Sequence, residues 1–262
     1  MSVIGPPPGR EEGEEILAGV KYVLRLDEDL SGFYALAVGD PDLSWITRGA
    51  GRMVRGSTVF EEVVKTLCTT NCAWSATTRM VSALVEHLGE KAPGAPETGP
   101  LGRAFPTAHA MAGAGEEFYR EVARAGYRGR YLLTLARSVA EEALDLEALD
   151  ADPEELPDDE LYRRLVALPG VGPYAAAHVM MMLGRYSRLV LDSWTRPTYA
   201  RLAGRDVITD QEIEERFSGY GLYKGLAFWL YLTRGWLPEK PDLRAIPYLP
   251  SGTAAEGVQG SS

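Results

Sequence analysis

The chain reads LVALPGVGPYAAA from Leu165 to Ala177, and this stretch sets how the rest is read. Gly170 and Gly172 give the backbone the freedom of a tight turn and place no side chain between main chain and ligand. Pro173 suits the first turn of a helix, where an amide proton would lack a partner. The free amides at that helix start face outward as an anion site. Such a unit grips a phosphate without reading bases, while Ala175, Ala176 and Ala177 let neighbouring helices approach closely. From these residues alone, a corner between two helices with no ligand is the plainer alternative.

Working outward, the apolar run Leu189-Val190-Leu191 ends in Asp192, 18 residues beyond Tyr174. A carboxylate there either caps a helix from Ser193 onward or serves chemistry. Upstream, Phe60, Val63, Val64, Leu67 and Cys68 recur at helical spacing, and Ser57 or Thr58 with Glu61 forms a capping box. Met80, Val81, Leu84, Val85 and Leu88 mark a second helix, ending near Gly89. Helices are also expected over 131–144, 160–168, 174–183, 193–203, 210–218 and 223–235, and residues 91–106 read as a Pro/Gly loop. Before all of these, Tyr22–Leu26 alternates, Gly32–Val38 is β-prone, and Gly39-Asp40-Pro41-Asp42 is turn chemistry before Leu43–Ile46. The expected fold is therefore α+β and mostly α, with a small antiparallel β-sheet at the N-terminus followed by two helical subdomains. The boundaries are a disordered tail over 1–15, a β-rich subdomain over 16–58, a helical core over 59–236 and an extension over 237–262 that ends in disorder.

Composition narrows the function classes. No apolar run approaches the roughly 18 residues of a membrane span, and the proline- and acid-rich start has no signal-peptide core. A cytoplasmic location is expected, nucleoid-associated in a bacterium. Two cysteines, Cys68 and Cys72, make no disulfide framework and read as small buried residues. A net charge of −10 argues against nucleic acid at first sight. Yet residues 139–160 hold eleven acids and no Lys or Arg, whereas 161–205 hold seven arginines and one acid, Asp192. Residues 119–137 add five arginines against Glu121. Such segregation suggests a basic face for phosphates and an acidic back, or else merely solvated helix faces.

Beyond the hairpin, the block Thr69-Thr70-Asn71-Cys72-Ala73-Trp74-Ser75-Ala76-Thr77-Thr78-Arg79-Met80, the segment Gly126-Tyr127-Arg128-Gly129-Arg130-Tyr131 and Tyr223-Lys224-Gly225-Leu226-Ala227 follow in order. Together with the hairpin and Asp192, they make residues 55–236 resemble the helix-hairpin-helix DNA glycosylase superfamily, closest in pattern to its 8-oxoguanine and 3-methyladenine branch. The resemblance implies an enzyme of base excision repair that flips a damaged purine from double-stranded DNA and breaks its N-glycosidic bond. It assigns catalysis to Asp192, which would stabilise the oxocarbenium-like transition state and deprotonate water. It assigns DNA binding to Gly170, Val171, Gly172, Tyr174, Asn71, Arg79, Arg128 and Arg130, with Asn71 entering the space left by the flipped nucleotide.

Tyr174 stands where lyase-competent members carry a lysine, and a phenol forms no Schiff base. Base release by water alone is therefore expected, with Lys224 or the N-terminal amine as the route to residual abasic-site lyase activity. The iron–sulfur branch holds its cluster on four cysteines after the core, whereas this chain has two, both upstream of that place. No iron–sulfur cluster and no required cofactor are expected. Carbonyl oxygens of Val166, Leu168 and Val171 correspond to the superfamily's site for Na+ or K+. The base pocket is assigned to His178, Trp194, Phe228 and Leu232. Phe228 stands in place of a base-reading glutamine and Leu232 in place of a stacking phenylalanine, departures from the 8-oxoguanine enzymes. Tyr174, Trp194, Phe228 and Trp229 would suit a cationic alkylated purine. Arg196 lies one position before the place, occupied by Pro197, where many relatives carry an arginine or histidine. A monomer is expected. A non-catalytic DNA-binding module that kept the hairpin is the alternative from another class.

Overall fold

A computed structural model describes residues 7–236 of the chain. Among the described residues there is no β-strand, only one isolated bridge between Lys91 and Arg103. The expected N-terminal sheet is replaced by helix α1 (Arg10–Leu24), helix α2 (Ser31–Ala37) and a 3₁₀ turn, Ser44–Arg48. Burial spacing explains the difference. Phe33 and Ala37 are buried four residues apart, and Leu43 and Ile46 three apart, which is the period of a helical face rather than of a pleat. α1 starts at Arg10, inside the stretch read as a tail, with Glu11 and Glu12 at its positive end and an Arg10–Glu14 pair at 3.0 Å. The C-terminal extension read over 237–262 lies outside the described residues.

The helical body follows as α3 (Val59–Thr69), α4 (Trp74–Leu88), α5 (Ala108–Gly113) and the single turn α6 (Gly115–Glu117), which leads into a π-helical turn, Phe118–Val122. Then come α7 (Arg128–Ala140), α8 (Asp158–Val166), α9 (Pro173–Met182), α10 (Thr195–Leu202), α11 (Asp210–Phe217) and α12 (Lys224–Thr233). The described residues up to Leu232 form one compact unit.

Two apolar cores divide the compact unit. One joins Val63, Leu67, Met80, Leu84, Met111, Leu132 and Leu165. The other joins Phe33, Ile46, Tyr199, Phe217, Leu226 and Phe228. Helix α9 belongs to both: Ala175, Ala176, Val179 and Met180 enter the first, Ala177, Met181 and Met182 the second. That explains its apolar circumference, since a helix buried on every side has no polar face. The hairpin at its start is thus held by both halves of the molecule.

The acidic stretch before the hairpin is structural. Glu147 accepts from the amides of Val59 (2.9 Å) and Phe60 (3.1 Å) at the start of α3. Asp150 pairs with the buried Arg55 at 2.8 Å, and Asp158 with the buried Arg185 at 2.6 Å. The segregation of charge along the chain therefore largely cancels in space. Of the seven arginines in 161–205, six have acidic partners among the described residues: Glu160 for Arg163 and Arg164, Asp158 and Asp159 for Arg185 and Arg188, Asp210 for Arg196 and Glu212 for Arg205. The basic face read from that run is reduced to Arg201.

Candidate active site

The hairpin joins α8 to α9 through Ala167–Gly172. Gly170 has φ +80°, and a Cβ there would lie 2.6 Å from Cδ2 of the Tyr131 ring. Both the backbone and the neighbour demand glycine. Gly172 differs from the sequence reading: its φ is −99° and nothing lies within 4 Å of a Cβ. Its lack of a side chain keeps open space rather than enabling a turn. It is the N-cap of α9 and offers no side-chain cap, with Pro173 next. The amides of Tyr174 and Ala175 consequently meet no acceptor among the described residues and point out of the helix start. The carbonyls of Val166 and Val171 also receive no hydrogen bond among these residues, while that of Leu168 accepts from the Val171 amide at 3.1 Å. The two unused carbonyl oxygens are hard acceptors of the kind a monovalent cation takes.

Asp192 lies at the mouth of α10. Its Oδ1 accepts from the amides of Trp194 (2.8 Å) and Thr195 (2.6 Å), and its own amide donates to Thr195 Oγ1 at 2.7 Å. The carboxylate is thereby fixed by main chain, and Oδ2 receives no hydrogen bond among the described residues. The contacts that hold Asp192 at the helix start thus use one carboxylate oxygen only. Charge from Asp192 reaches two groups on one face of α9. It raises the pKa of Tyr174 in addition to the larger effect of burial. It partly offsets the burial that drives His178 down to about 4. His178 is neutral at physiological pH, and its Nδ1 is buried without a hydrogen-bond partner among the described residues.

The rings around this carboxylate form a chain of contacts. Tyr174 meets His178 at 5.9 Å between centroids, His178 meets Trp229 edge-on at 6.2 Å, and Trp229 meets Trp194 at 6.0 Å. His178 and Trp194 are thus linked through Trp229, which lies between them. Phe228 and Leu232 are not with them. Both are buried in the second core, where Phe228 packs against Phe217 (5.4 Å) and Tyr199 (6.1 Å).

Asn71 occupies the left-handed region, φ +45°, in the exposed loop between α3 and α4, a conformation asparagine tolerates better than most residues. Arg128 is buried and turned inward, unlike the phosphate contact expected of it. Its Nε donates to the Thr70 carbonyl at 2.9 Å and its Nη2 to the Asn71 carbonyl at 2.9 Å. The same loop is tied to the hairpin helix, because the Thr69 and Tyr174 hydroxyls are 3.1 Å apart. Neither tie was legible in the sequence, since both join residues distant along the chain. Arg130 stays at the surface over the Tyr131 ring (4.7 Å), beside Gly170, and Arg79 is exposed on α4. The paired arginine near Asp192 is Arg196, held by Asp210 through bonds of 2.7 and 2.9 Å. With Tyr174, Leu191 and Lys224 it lines a cavity of about 260 Å³. Lys224 is ion-paired with Glu214.

This arrangement of helices is found in solved structures. The apo crystal structure of Clostridium acetobutylicum 8-oxoguanine glycosylase/lyase superposes with a TM-score of 0.68 at 23% identity, covering 84% of this chain and 75% of that one. The chain has a DNA glycosylase fold. The 3-methyladenine DNA glycosylase of Archaeoglobus fulgidus gives 0.66 at 21% identity over 88% of this chain and 78% of that one. Schizosaccharomyces pombe 3-methyladenine DNA glycosylase, solved in complex with abasic DNA, gives 0.58 at 17% identity over 79% and 98%. No family model and no curated protein sequence matches the chain. Within the glycosylase fold no helix among the described residues is long and apolar enough to cross a membrane.

Proposed function

We propose that the protein is a monofunctional DNA glycosylase of base excision repair, which hydrolyses the N-glycosidic bond of a damaged purine in double-stranded DNA. The observation that carries this reading is Asp192: a carboxylate with Oδ1 fixed by two amides and Oδ2 without a hydrogen bond among the described residues, whose charge reaches Tyr174 and His178 on the hairpin helix. The outward amides of Tyr174 and Ala175, with the open space at Gly172, receive a phosphate of the damaged strand. A monovalent cation on the carbonyls of Val166, Leu168 and Val171 would add positive charge there. The flipped nucleotide brings its sugar to Oδ2. As the C1′–N bond breaks, its electron pair leaves with the base and positive charge grows on the sugar, where the fixed carboxylate stabilises it. Water attacks C1′ and gives its proton to Asp192. The products are a free base and an abasic site.

Tyr174 in the lysine position and the Lys224–Glu214 pair favour hydrolysis over Schiff-base chemistry, because a nucleophilic amine must first be neutral. The rings of Tyr174, His178, Trp229 and Trp194 favour a cationic alkylated purine, which they would attract through their faces, and the neutral imidazole brings no repelling charge. A panel of duplexes with single defined lesions, each product run with and without alkali, tests the reading. The expected result is base release from an N-alkylated purine, with strand breaks only after alkali. Breaks without alkali would refute the monofunctional mechanism, and no release from any lesion would refute the enzyme.

A further inference from the structure

We infer that Trp74 is a DNA-contacting residue that stacks on the base pair bordering the space left by the flipped nucleotide. The inference rests on the glycosylase reading above. Trp74 is the first residue of α4, three positions after Asn71, and is 75% exposed. A tryptophan left in water gives up a large hydrophobic gain that stacking on a flat apolar surface would recover.

Its platform is rigid. The Asn71 carbonyl is held by Arg128, Thr77 Oγ1 donates to the Cys68 carbonyl at 3.0 Å, and Cys72 Sγ donates to the same carbonyl at 3.2 Å. The first turn of α4, which carries the indole, is thus tied to the end of α3.

The surroundings select a polyanion. In a chain of net charge −10, residues 69–85 and 122–140 contain no aspartate or glutamate, yet they carry the exposed Arg79, Arg124, Arg130 and Arg137. The two segments meet where Arg128 grips the Thr70–Asn71 loop with the half-exposed Tyr127 ring 4.6 Å from its guanidinium. The residue before α4, Ala73, provides no side-chain cap, so the positive end of that helix also faces outward. Exposed rings and exposed arginines on two adjoining segments without acids in their sequence are the features of base stacking on nucleic acid.

The test measures binding of the full-length protein to two duplexes, one intact and one with a stable abasic-site analogue. Trp74→Ala should weaken binding to the abasic-analogue duplex about tenfold, the scale of one lost aromatic–base stack. Trp74→Phe should retain most of the affinity. Binding to intact duplex should change less than about twofold, and thermal melting should be unaltered because the side chain is exposed. Equal affinity of Trp74→Ala and wild type for the abasic-analogue duplex overturns the inference. So does an equal loss on both duplexes, which would make Trp74 a general contact. A wild-type protein that does not distinguish the two duplexes is the separate outcome that removes the glycosylase reading and this inference with it.

Discussion

Gly170 and Gly172 look alike in the sequence, but alanine at each should fail in a different assay. At Gly170 the φ of +80° puts an L-residue in the left-handed region, which costs about 1–2 kcal/mol. The added Cβ also lies 2.6 Å from the Tyr131 ring, and overpacking of this kind costs about 1–3 kcal/mol. Gly170→Ala should therefore lose about 3 kcal/mol, or about 6–12 °C in melting temperature for a domain of this size. At Gly172 the backbone is extended and the Cβ meets no protein atom, so Gly172→Ala should melt within about 1 °C of wild type. It should instead bind duplex DNA more weakly and with a shallower salt dependence, since its methyl occupies the space a phosphate approaches. Calorimetric melting and salt-titrated binding separate the two effects. Equal destabilisation by both substitutions, or an unaltered melt for Gly170→Ala, would refute the geometric argument.

Three further outcomes follow from the site. Asp192→Asn keeps an oxygen for the Trp194 and Thr195 amides, so melting and DNA affinity should stay near wild type while base release in single-turnover assays falls at least about 100-fold. His178 is neutral when folded, with its pKa pulled down to about 4. As pH drops below about 6.5, the unfolded chain gains a proton that the folded one refuses, so stability falls between pH 6.5 and 4 and levels off below that. The loss approaches about 3 kcal/mol, and His178→Phe should flatten that part of the urea-melt profile. Arg128→Lys breaks the fork that holds the Thr70 and Asn71 carbonyls, and urea melts should show a loss of about 2 kcal/mol, whereas Arg79→Lys should be silent.

The hairpin was legible because its chemistry is local: glycine and proline restrict φ wherever they stand, and Asp192 follows an apolar run that announces its position. The N-terminal helices were not legible in the same way. Tyr22–Leu26 and Gly32–Val38 carry β-prone side chains, and only burial of Phe33 with Ala37, and of Leu43 with Ile46, reveals the helical period. The charge blocks misled for a related reason. Acids and arginines separated along the chain meet across it, as in Asp158–Arg185 and Asp150–Arg55, so a count along the sequence measures partners rather than a face. Phe228 and Leu232 were placed by order along the chain, but side-chain direction on α12 sends both into the second core.

Helix α9 carries a consequence for how a duplex can be engaged. A helix that forms part of both cores ties the two lobes to one another, which opposes their swinging apart. The compact unit up to Leu232 would then meet DNA with its jaws already set, and the deformation needed to extrude a nucleotide would fall on the duplex. Lesions that soften stacking or pairing lower that deformation cost, so a stiff protein can sort bases by how readily each leaves the helix before any side chain has touched it.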